Sequence, residues 1–293
     1  MSSPAEDLEP MFASVIVPTR DRFDLLRDCL GSLCQQDYPS ERYEIIVVDD
    51  GLEGRTSSLV EAFQLSSTPS ISLVTLGGAG PNAARNAGIS LAMGDPICFV
   101  DDDVLVPPVW LSAMVRGVNR YKDAGCLSGP IRLKLDGKSP RLCGREPLGE
   151  HEQDFGTVDC DISQACGANM TIRSWAVDRV GTFNEALPIY ADEFEWQWRL
   201  LADGGRIAYV ADAWLWHCKS ANTLRIRSLI RNRFKRGRNK IELDRLVGTE
   251  PLVRNEMAPM LRAFGHAVRR QCTWGVLMAS ERAGRAWGAS RAR

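Results

Sequence analysis

The sequence predicts an α/β fold in which a mostly parallel central sheet is flanked by helices and followed by a helical C-terminal extension. Between residues 13 and 100, short apolar runs alternate with segments whose apolar residues recur at helical spacing, which is the pattern of βαβ units. Three of the four apolar runs end in polar residues, as strands do where such a sheet binds ligands. From residue 222 onwards, helical spacing dominates.

Residues 13–34 are predicted to form the first strand and the first helix. The run 13–18 is apolar enough for a buried strand, and Pro18 stops it because proline lacks the N–H that a sheet ladder needs. Apolar residues then recur with helical spacing, which predicts a helix over 23–34.

The later elements follow the same alternation up to Trp110 and become less regular beyond it. Strands are predicted at 43–48, 71–76 and 96–100, with helices at 59–63 and 82–93. Further on, we expect a strand pair within 125–135, a loop over 138–155, a strand at 164–173, helices at 174–180 and 192–201, and a strand at 206–210.

Acidic residues close the fourth strand. Asp101, Asp102 and Asp103 directly follow its apolar residues. Unpaired carboxylates are costly beside a buried strand, and Mg²⁺ and Mn²⁺ prefer carboxylate oxygens, so the triplet predicts a divalent-cation site. The polar residues at 19–21 and 49–50 should meet it at the same edge of the sheet. A solvated acidic turn is the alternative explanation.

Charge is distributed unevenly along the chain. The 293 residues are 44% hydrophobic and carry a formal net charge of −1, as is ordinary for a globular protein. Residues 219–293, however, contain 18 Lys and Arg against 5 Asp and Glu. This excess favours an anionic partner such as a membrane surface or a phosphate-rich substrate. It is accompanied by no nucleic-acid motif, so we expect no nucleic-acid partner.

The cysteines and the N-terminus indicate a cytoplasmic protein. The nine cysteines form no CxxC pair and no Cys/His cluster with zinc spacing, which is typical of free thiols in a reducing compartment. Residues 1–12 are expected to be flexible, and the first ten lack the features of a signal peptide. No apolar run approaches the ~20 residues of a membrane span.

Eight short motifs, taken in their order along the chain, resemble those of a known family. Four lie in the first part of the chain, at 15–20, 44–51, 84–88 and 99–103, and four further on, at 167–170, 181–185, 192–195 and His217. Together they resemble the family 2 glycosyltransferases, which have the GT-A fold, over about residues 12–220. The resemblance implies a nucleotide-sugar-binding half at 13–110 and an acceptor-binding half at 111–220 of the same domain, before the basic extension 221–293.

The resemblance implies where the donor base would bind. Asp50 corresponds to the carboxylate that contacts uracil or an equivalent base in the family. Pro18, Thr19 and Arg20 would line the same pocket. A polar turn cap is the alternative explanation for Asp50.

The metal and the diphosphate would bind beside the base. By the same resemblance, Asp103 is the direct metal ligand, Asp101 meets the ribose or the metal, and Asp102 belongs to the donor site. His217 would close over the diphosphate or the metal, which is Mn²⁺ or Mg²⁺; a purely structural role is the alternative explanation for this histidine. Arg85 suits phosphate because it lies near the start of a helix with a glycine-rich entry, although a surface ion pair would also explain it.

Glycosyl transfer also needs a base for the acceptor hydroxyl. The family places it at the start of a helix in a Glu-Asp pair, and here the order is Asp192-Glu193. Glu193 is the matching residue, but Asp192 stays an alternative, and both could simply cap the helix. Glu195, Trp196 and Asn169 are candidates for the acceptor side, with core packing as the alternative for the tryptophan.

The reaction implied is a metal-dependent, inverting transfer of one sugar from a nucleotide-diphosphate sugar, with a UDP-sugar favoured, to an unidentified acceptor hydroxyl. The motif of processive members, Gln-x-x-Arg-Trp, is absent. A nucleotidyltransferase on a similar sheet and a non-catalytic nucleotide- or carbohydrate-binding module are the alternatives.

The C-terminal region combines basic and apolar residues. Apolar residues at 261, 264, 268, 272, 276 and 279 recur at helical spacing among arginines. This pattern predicts an amphipathic, cationic helix, suited to the anionic inner face of a membrane. A helix packed on the body with a solvated basic face is the alternative.

Overall fold

The computed structural model describes residues 11–52, 54–136, 153–187, 192–220 and 223–291. Most of the N-terminal segment 1–12 and of the predicted loop 138–155 lies outside the described residues. The chain divides into two units, which we describe separately. One comprises Met1–Arg132, Gln153–Phe183 and Trp196–His217, and the other Leu133–Glu152, Asn184–Glu195 and Cys218–Arg293.

Strands and helices alternate through the first half of the chain, as predicted. The strands are β1 (Ala13–Thr19), β2 (Tyr43–Asp49), β3 (Ser70–Thr75), β4 (Ile97–Val100), β5 (Val104–Leu105), β6 (Ala124–Ser128), β7 (Ile131–Leu135), β8 (Cys160–Asp161), β9 (Asn169–Ile172), β10 (Arg206–Tyr209) and β11 (Leu215–Lys219). The α-helices are α1 (Phe23–Leu33), α2 (Thr56–Ser66), α3 (Pro81–Leu91), α4 (Trp110–Arg120), α5 (Ser174–Val180), α6 (Asp192–Ala202), α7 (Ile226–Leu246), α8 (Val253–Arg270) and α9 (Thr273–Ser290). A 3₁₀ turn lies at Ser40–Arg42.

The main sheet has eight strands in the order β3-β2-β1-β4-β9-β6-β10-β8. Its first four strands are parallel, and β10 is parallel to β6. Strand β9 runs antiparallel between β4 and β6. Strand β5 pairs antiparallel with β11 in a second sheet of order β5-β11-β7. The mostly parallel sheet is therefore confirmed.

Both faces of the main sheet are buried, which explains the continuous apolar runs. Val15, Val17 and Ile45 pack in one cluster, whereas Ile16 and Ile46 pack in the other. Successive side chains of a strand point to opposite faces, so the two clusters lie on either side of the sheet.

Two strands occupy 125–135, as predicted, but the expectation that they form a pair is wrong. Strands β6 and β7 belong to different sheets. The chain leaves the first sheet at Gly129 and Pro130. A side chain at Gly129 would collide with the backbone oxygen of Ala213, and proline cannot donate to a ladder, so the strand ends there.

The C-terminal residues of the second unit form three long helices. Gly237 and Gly284 allow close packing of α7 on α9, because a Cβ at either position would contact the backbone of the facing helix. Glu281 on α9 lies 3.0 Å from Arg233 and 3.7 Å from Lys240. Burial alone would raise the pKa of Glu281, but these cations and Arg236 lower it below its usual value overall.

The amphipathic stripe predicted across residues 261–279 is interrupted. The chain turns at Gln271, in the left-handed conformation with φ of 47°, so α8 and α9 are separate helices. Cys272 is buried, whereas Leu261, Phe264 and Val268 are exposed. None of the described helices combines the length and the apolar character that crossing a bilayer requires.

Candidate active site

The predicted metal ligands meet in the first unit. Asp101, Asp103 and His217 each offer one ligand atom, and these atoms lie within 4.8 Å of one another. His217 Nε2 is 2.9 Å from Asp103 Oδ1. The pairing of His217 with Val104, the residue after Asp103, brings the imidazole to the acidic turn. Two carboxylates and one imidazole form a donor set that suits Mn²⁺ or Mg²⁺, so the residues fit a divalent cation.

The side chain of Asp102 lies outside the cluster that Asp101 and Asp103 form with His217 and has a different set of hydrogen-bond partners. Its buried carboxylate accepts hydrogen bonds from Thr19 Oγ1 at 2.7 Å and from Arg22 Nη1 at 2.9 Å. Burial raises the pKa of Asp102 to about 6, although Arg22 and Thr19 oppose that rise. Asp102 therefore ties the acidic turn to the end of β1.

Arg22 is a cation that the sequence analysis did not single out. Its Nη1 also lies 3.5 Å from Asp103 Oδ2. Burial alone would lower the pKa of Arg22, but Asp102 and Asp103 raise it overall, so its charge is retained beside the acidic turn. The sequence carried a signal, since Arg22 follows the polar residues at the end of β1.

Asp50 organises the loop that precedes α3. Its carboxylate accepts backbone N–H groups from Gly78 at 2.8 Å, Ala79 at 2.5 Å and Gly80 at 2.9 Å. Gly78 and Gly80 have φ of 97° and 104°, a region that residues with a Cβ rarely adopt. A charged carboxylate is a good acceptor for such converging amides. Sequence reasoning missed this contact, which joins two segments far apart in the chain.

Asp50 also faces the end of β1. The Nη1 atom of Arg20 lies 3.7 Å from its carboxylate. A carboxylate has about four lone-pair sites, so three amide contacts leave capacity for another donor. Base recognition by Asp50, with Pro18, Thr19 and Arg20 lining the pocket, stays a prediction.

Arg85 lies near the start of α3 and is buried. Its guanidinium stacks over the Phe183 ring at 5.6 Å and donates to Asn82 Oδ1 at 3.1 Å. The Asn86 side chain exchanges two hydrogen bonds of 2.9 Å with the backbone of Phe183. Hydrogen bonds therefore join the motif at 84–88 to the motif at 181–185, and the ring of Phe183 positions Arg85.

The candidate bases begin a helix, as expected. Helix α6 starts at Asp192, followed by the half-buried Glu193. Glu195 is buried. All three belong to the second unit, and the side chain of Asp192 lies outside the described residues. The choice between Asp192 and Glu193 stays a prediction, as does the orienting role of Glu195.

Two acceptor-side candidates are core residues in this structure. The buried Asn169 accepts from Trp110 Nε1 at 3.0 Å and donates to Ala213 O at 2.8 Å. Trp196 is fully buried and donates to Gly181 O at 2.8 Å. These contacts are structural, so acceptor binding by either residue stays a prediction that would require a change in exposure.

Comparison with known sequences identifies the family. Residues 14–181 match the sequence model described as Glycosyl transferase family 2. The chain belongs to this family. Glycosyltransferase AglE of Haloferax volcanii is 24% identical over 240 residues, which cover 80% of this chain and 76% of AglE. The chain spans only 23% and 16% of two longer glycosyltransferases that it also matches.

Solved structures share the fold. Mannosyltransferase PcManGT of Pyrobaculum calidifontis, in complex with GDP-Man and Mn²⁺, matches with a TM-score of 0.66 at 15% identity, over 96% of this chain and 90% of that one. TarS 1-349 of S. aureus, in complex with UDP-GlcNAc, matches with a TM-score of 0.57 at 22% identity, over 71% of this chain and 59% of that one. The predictions of a GT-A fold and a glycosyltransferase are confirmed.

Proposed function

We propose that this glycosyltransferase moves one sugar from a nucleotide-diphosphate sugar to an acceptor hydroxyl, with a divalent cation and inversion at the anomeric carbon. The observation that carries the proposal is the cluster of Asp101, Asp103 and His217. Complexes of the structural neighbours with UDP-GlcNAc and GDP-Man support a nucleotide-sugar donor, and the Mn²⁺ in one of them supports a divalent cation. A UDP-sugar is the favoured donor.

The residues proposed to bind the sugar donor belong to the first unit. Asp101, Asp103 and His217 would hold the cation, which as a Lewis acid would offset charge on the leaving diphosphate. Arg85 and the first backbone amides of α3 offer positive charge and hydrogen-bond donors to the same phosphates. The glycine loop held by Asp50 sets the start of that helix.

The acceptor side rests on α6. A carboxylate is needed to take the proton from the attacking hydroxyl, and Glu193 or Asp192 would do so. Transfer of a single sugar per encounter is proposed because the processive Gln-x-x-Arg-Trp motif is absent.

The location is a separate proposal. We propose that the protein works in the cytoplasm and that its basic helices make peripheral contact with an anionic membrane. None of the eight described cysteines is in a disulfide, which agrees with a reducing compartment. The acceptor would supply a hydroxyl group from a glycan, a lipid-linked molecule or a small molecule.

Thermal shift with UDP, GDP, dTDP and CDP sugars, each with and without Mn²⁺, tests the donor proposal. We expect one nucleotide class to stabilise the protein only with metal, and Asp103→Ala to lose the effect. No stabilisation of the folded protein by any of them would overturn the proposal.

Turnover with the matching donor separates an enzyme from a binding module, and NMR of the product reports its anomeric configuration. We expect either Glu193→Gln or Asp192→Asn to abolish transfer while nucleotide binding is retained. If both variants stay active, the assignment of the base is wrong.

A further inference from the structure

Helix α8 carries a ridge of apolar side chains exposed to solvent. The ridge consists of Val253, Met257, Leu261, Phe264 and Val268, which are 38% to 65% exposed. At 3.6 residues per turn, their spacing places all five within about 80° of the helix circumference, and they extend over about 22 Å. A continuous exposed stripe of this kind, unlike single exposed apolar residues, indicates a contact surface.

Packing within the second unit does not account for the ridge. Another side of α8 faces α9, where Glu256 and Ala267 are buried and where Gly275 allows the helices to approach closely. The ridge is therefore additional to the surface that holds the helices together.

The surroundings of the ridge are cationic. Arg254, Arg262 and Arg269 are exposed on α8 and follow the ridge along one side. The one acidic residue of α8, Glu256, is buried and bound by Arg282 at 2.9 Å and Arg285 at 2.8 Å. The exposed surface of α8 thus combines apolar side chains with uncompensated positive charge.

We infer that the ridge of α8 docks on the surface of an anionic lipid bilayer. Apolar side chains would enter the boundary between headgroups and acyl chains, while the arginines meet lipid phosphates. A second copy of this chain fits less well, because symmetric antiparallel pairing along the ridge would bring the same arginines together. The inference rests on the membrane contact proposed above and does not depend on the transfer reaction.

Helix α7 offers an internal comparison. Arg225, just before its first residue, and Arg227 and Arg231 on it are exposed, but no stripe of exposed apolar residues accompanies them. The arginines of α7 are therefore accompanied by a single exposed apolar residue, Ile226, whereas those of α8 lie beside an apolar ridge. The two sets of arginines can be removed in parallel to separate a specific docking face from general attraction to anions.

Vesicle co-sedimentation of the full chain tests the inference. The wild type should bind vesicles of phosphatidylcholine with phosphatidylglycerol and not vesicles of phosphatidylcholine alone. We expect Leu261→Asp combined with Phe264→Asp to weaken binding at least about tenfold, since it removes apolar area and adds repulsion. The matched control, Leu65→Asp on α2, changes a side chain that is 90% exposed in the other unit and should bind like wild type.

The charge variants complete the design. Replacing Arg254, Arg262 and Arg269 by Gln should weaken binding by at least about tenfold, whereas the same replacement of Arg225, Arg227 and Arg231 should have a much smaller effect. Equal losses in both triple variants, or unchanged binding of the ridge variant, would overturn the assignment to α8. So would a ridge-dependent dimer in size-exclusion chromatography without vesicle binding.

Two further readouts prevent misinterpretation. Circular dichroism melting must show each variant folded, and the less disruptive Phe264→Ser variant should still bind more weakly than wild type. Donor-induced thermal shift is measured on the same samples. A variant that loses vesicle binding but keeps its donor-induced thermal shift shows that membrane docking is separate from donor binding. If no donor stabilises the protein, the donor proposal fails but the docking inference is unaffected.

Discussion

We expect the substitution Asp50→Asn to destabilise the protein as well as to weaken nucleotide binding. Asp50 accepts three backbone N–H groups through its two oxygens. Asparagine keeps one acceptor oxygen and places an NH₂ group at the other position. If the amide oxygen faces Gly78 and Ala79, the NH₂ group faces the N–H of Gly80, so two donors oppose each other.

The magnitude follows from the hydrogen bonds. A hydrogen bond to a charged group contributes about 1.5–3 kcal/mol and a neutral one about 0.5–1.5 kcal/mol, so weakening two of them costs about 2 kcal/mol. Leaving the third donor unsatisfied costs about 1–3 kcal/mol more. Because the loop is partly exposed and water can replace some bonds, we expect a net loss of about 3 kcal/mol, or roughly 6–10 °C in Tm.

The assay combines urea unfolding of the full chain with titration of nucleotide. Asp24→Asn is the matched control, because its side chain is 82% exposed and pairs with Arg27 on the surface. That control should change the free energy of unfolding by less than about 0.5 kcal/mol. If Asp50→Asn abolishes nucleotide binding with no larger effect on stability than the control, Asp50 serves the base and does not anchor the loop.

Three further predictions concern the metal cluster and the C-terminal helices. His217→Ala should lower Mn²⁺ affinity at least about tenfold in a metal titration, and unchanged affinity would exclude the imidazole as a ligand. Gly237→Ala should lower the unfolding free energy by about 1–3 kcal/mol, because its Cβ would contact the backbone of α9. Gly265→Ala, in open space on α8, should be neutral or slightly stabilising, and equal losses in denaturation would refute the packing argument. Because the folded pKa values of Glu281 and Glu256 are lowered, their stabilising contribution is present above their ordinary value of 4.5 and is lost as the pH falls through the folded pKa. Melting curves of wild type should therefore fall more steeply with acid than those of Glu281→Gln with Glu256→Gln, and parallel curves would contradict this.

The parts of the fold predicted well are those with a local cause. Strands β1, β2 and β4 are continuous apolar runs buried on both faces, and their bounds are close to those predicted. The separation of β6 from β7 was missed because it depends on the approach of the backbone at Ala213 to Gly129. The break between α8 and α9 was also missed, since Gln271 is an unusual residue for a left-handed turn.

In the candidate site, too, features with a local cause were predicted and those that depend on distant contacts were missed. The acidic turn was visible because charged residues follow an apolar strand. Its pairing with His217 depends on β5, a strand of two residues that carries no periodic signal. The hydrogen bonds of Asp50 to the glycine loop depend on the order of strands in the sheet, so no pattern in either segment alone predicts them.

The three successive aspartates serve two different purposes, and the geometry explains why. Asp101 and Asp103 offer oxygens to a common point with His217, whereas Asp102 accepts hydrogen bonds from Thr19 and Arg22. Burying a carboxylate without hydrogen-bond partners would reduce the stability of the fold. The hydrogen bonds from Thr19 and Arg22 offset that loss for Asp102. In return, the turn that carries the outer two carboxylates is fixed to the end of β1. Thr19 and Arg22 therefore support the proposed metal site through Asp102, and Arg22 also lies 3.5 Å from Asp103 itself. A substitution at either residue should lower Mn²⁺ affinity in a metal titration before it lowers the stability of the sheet.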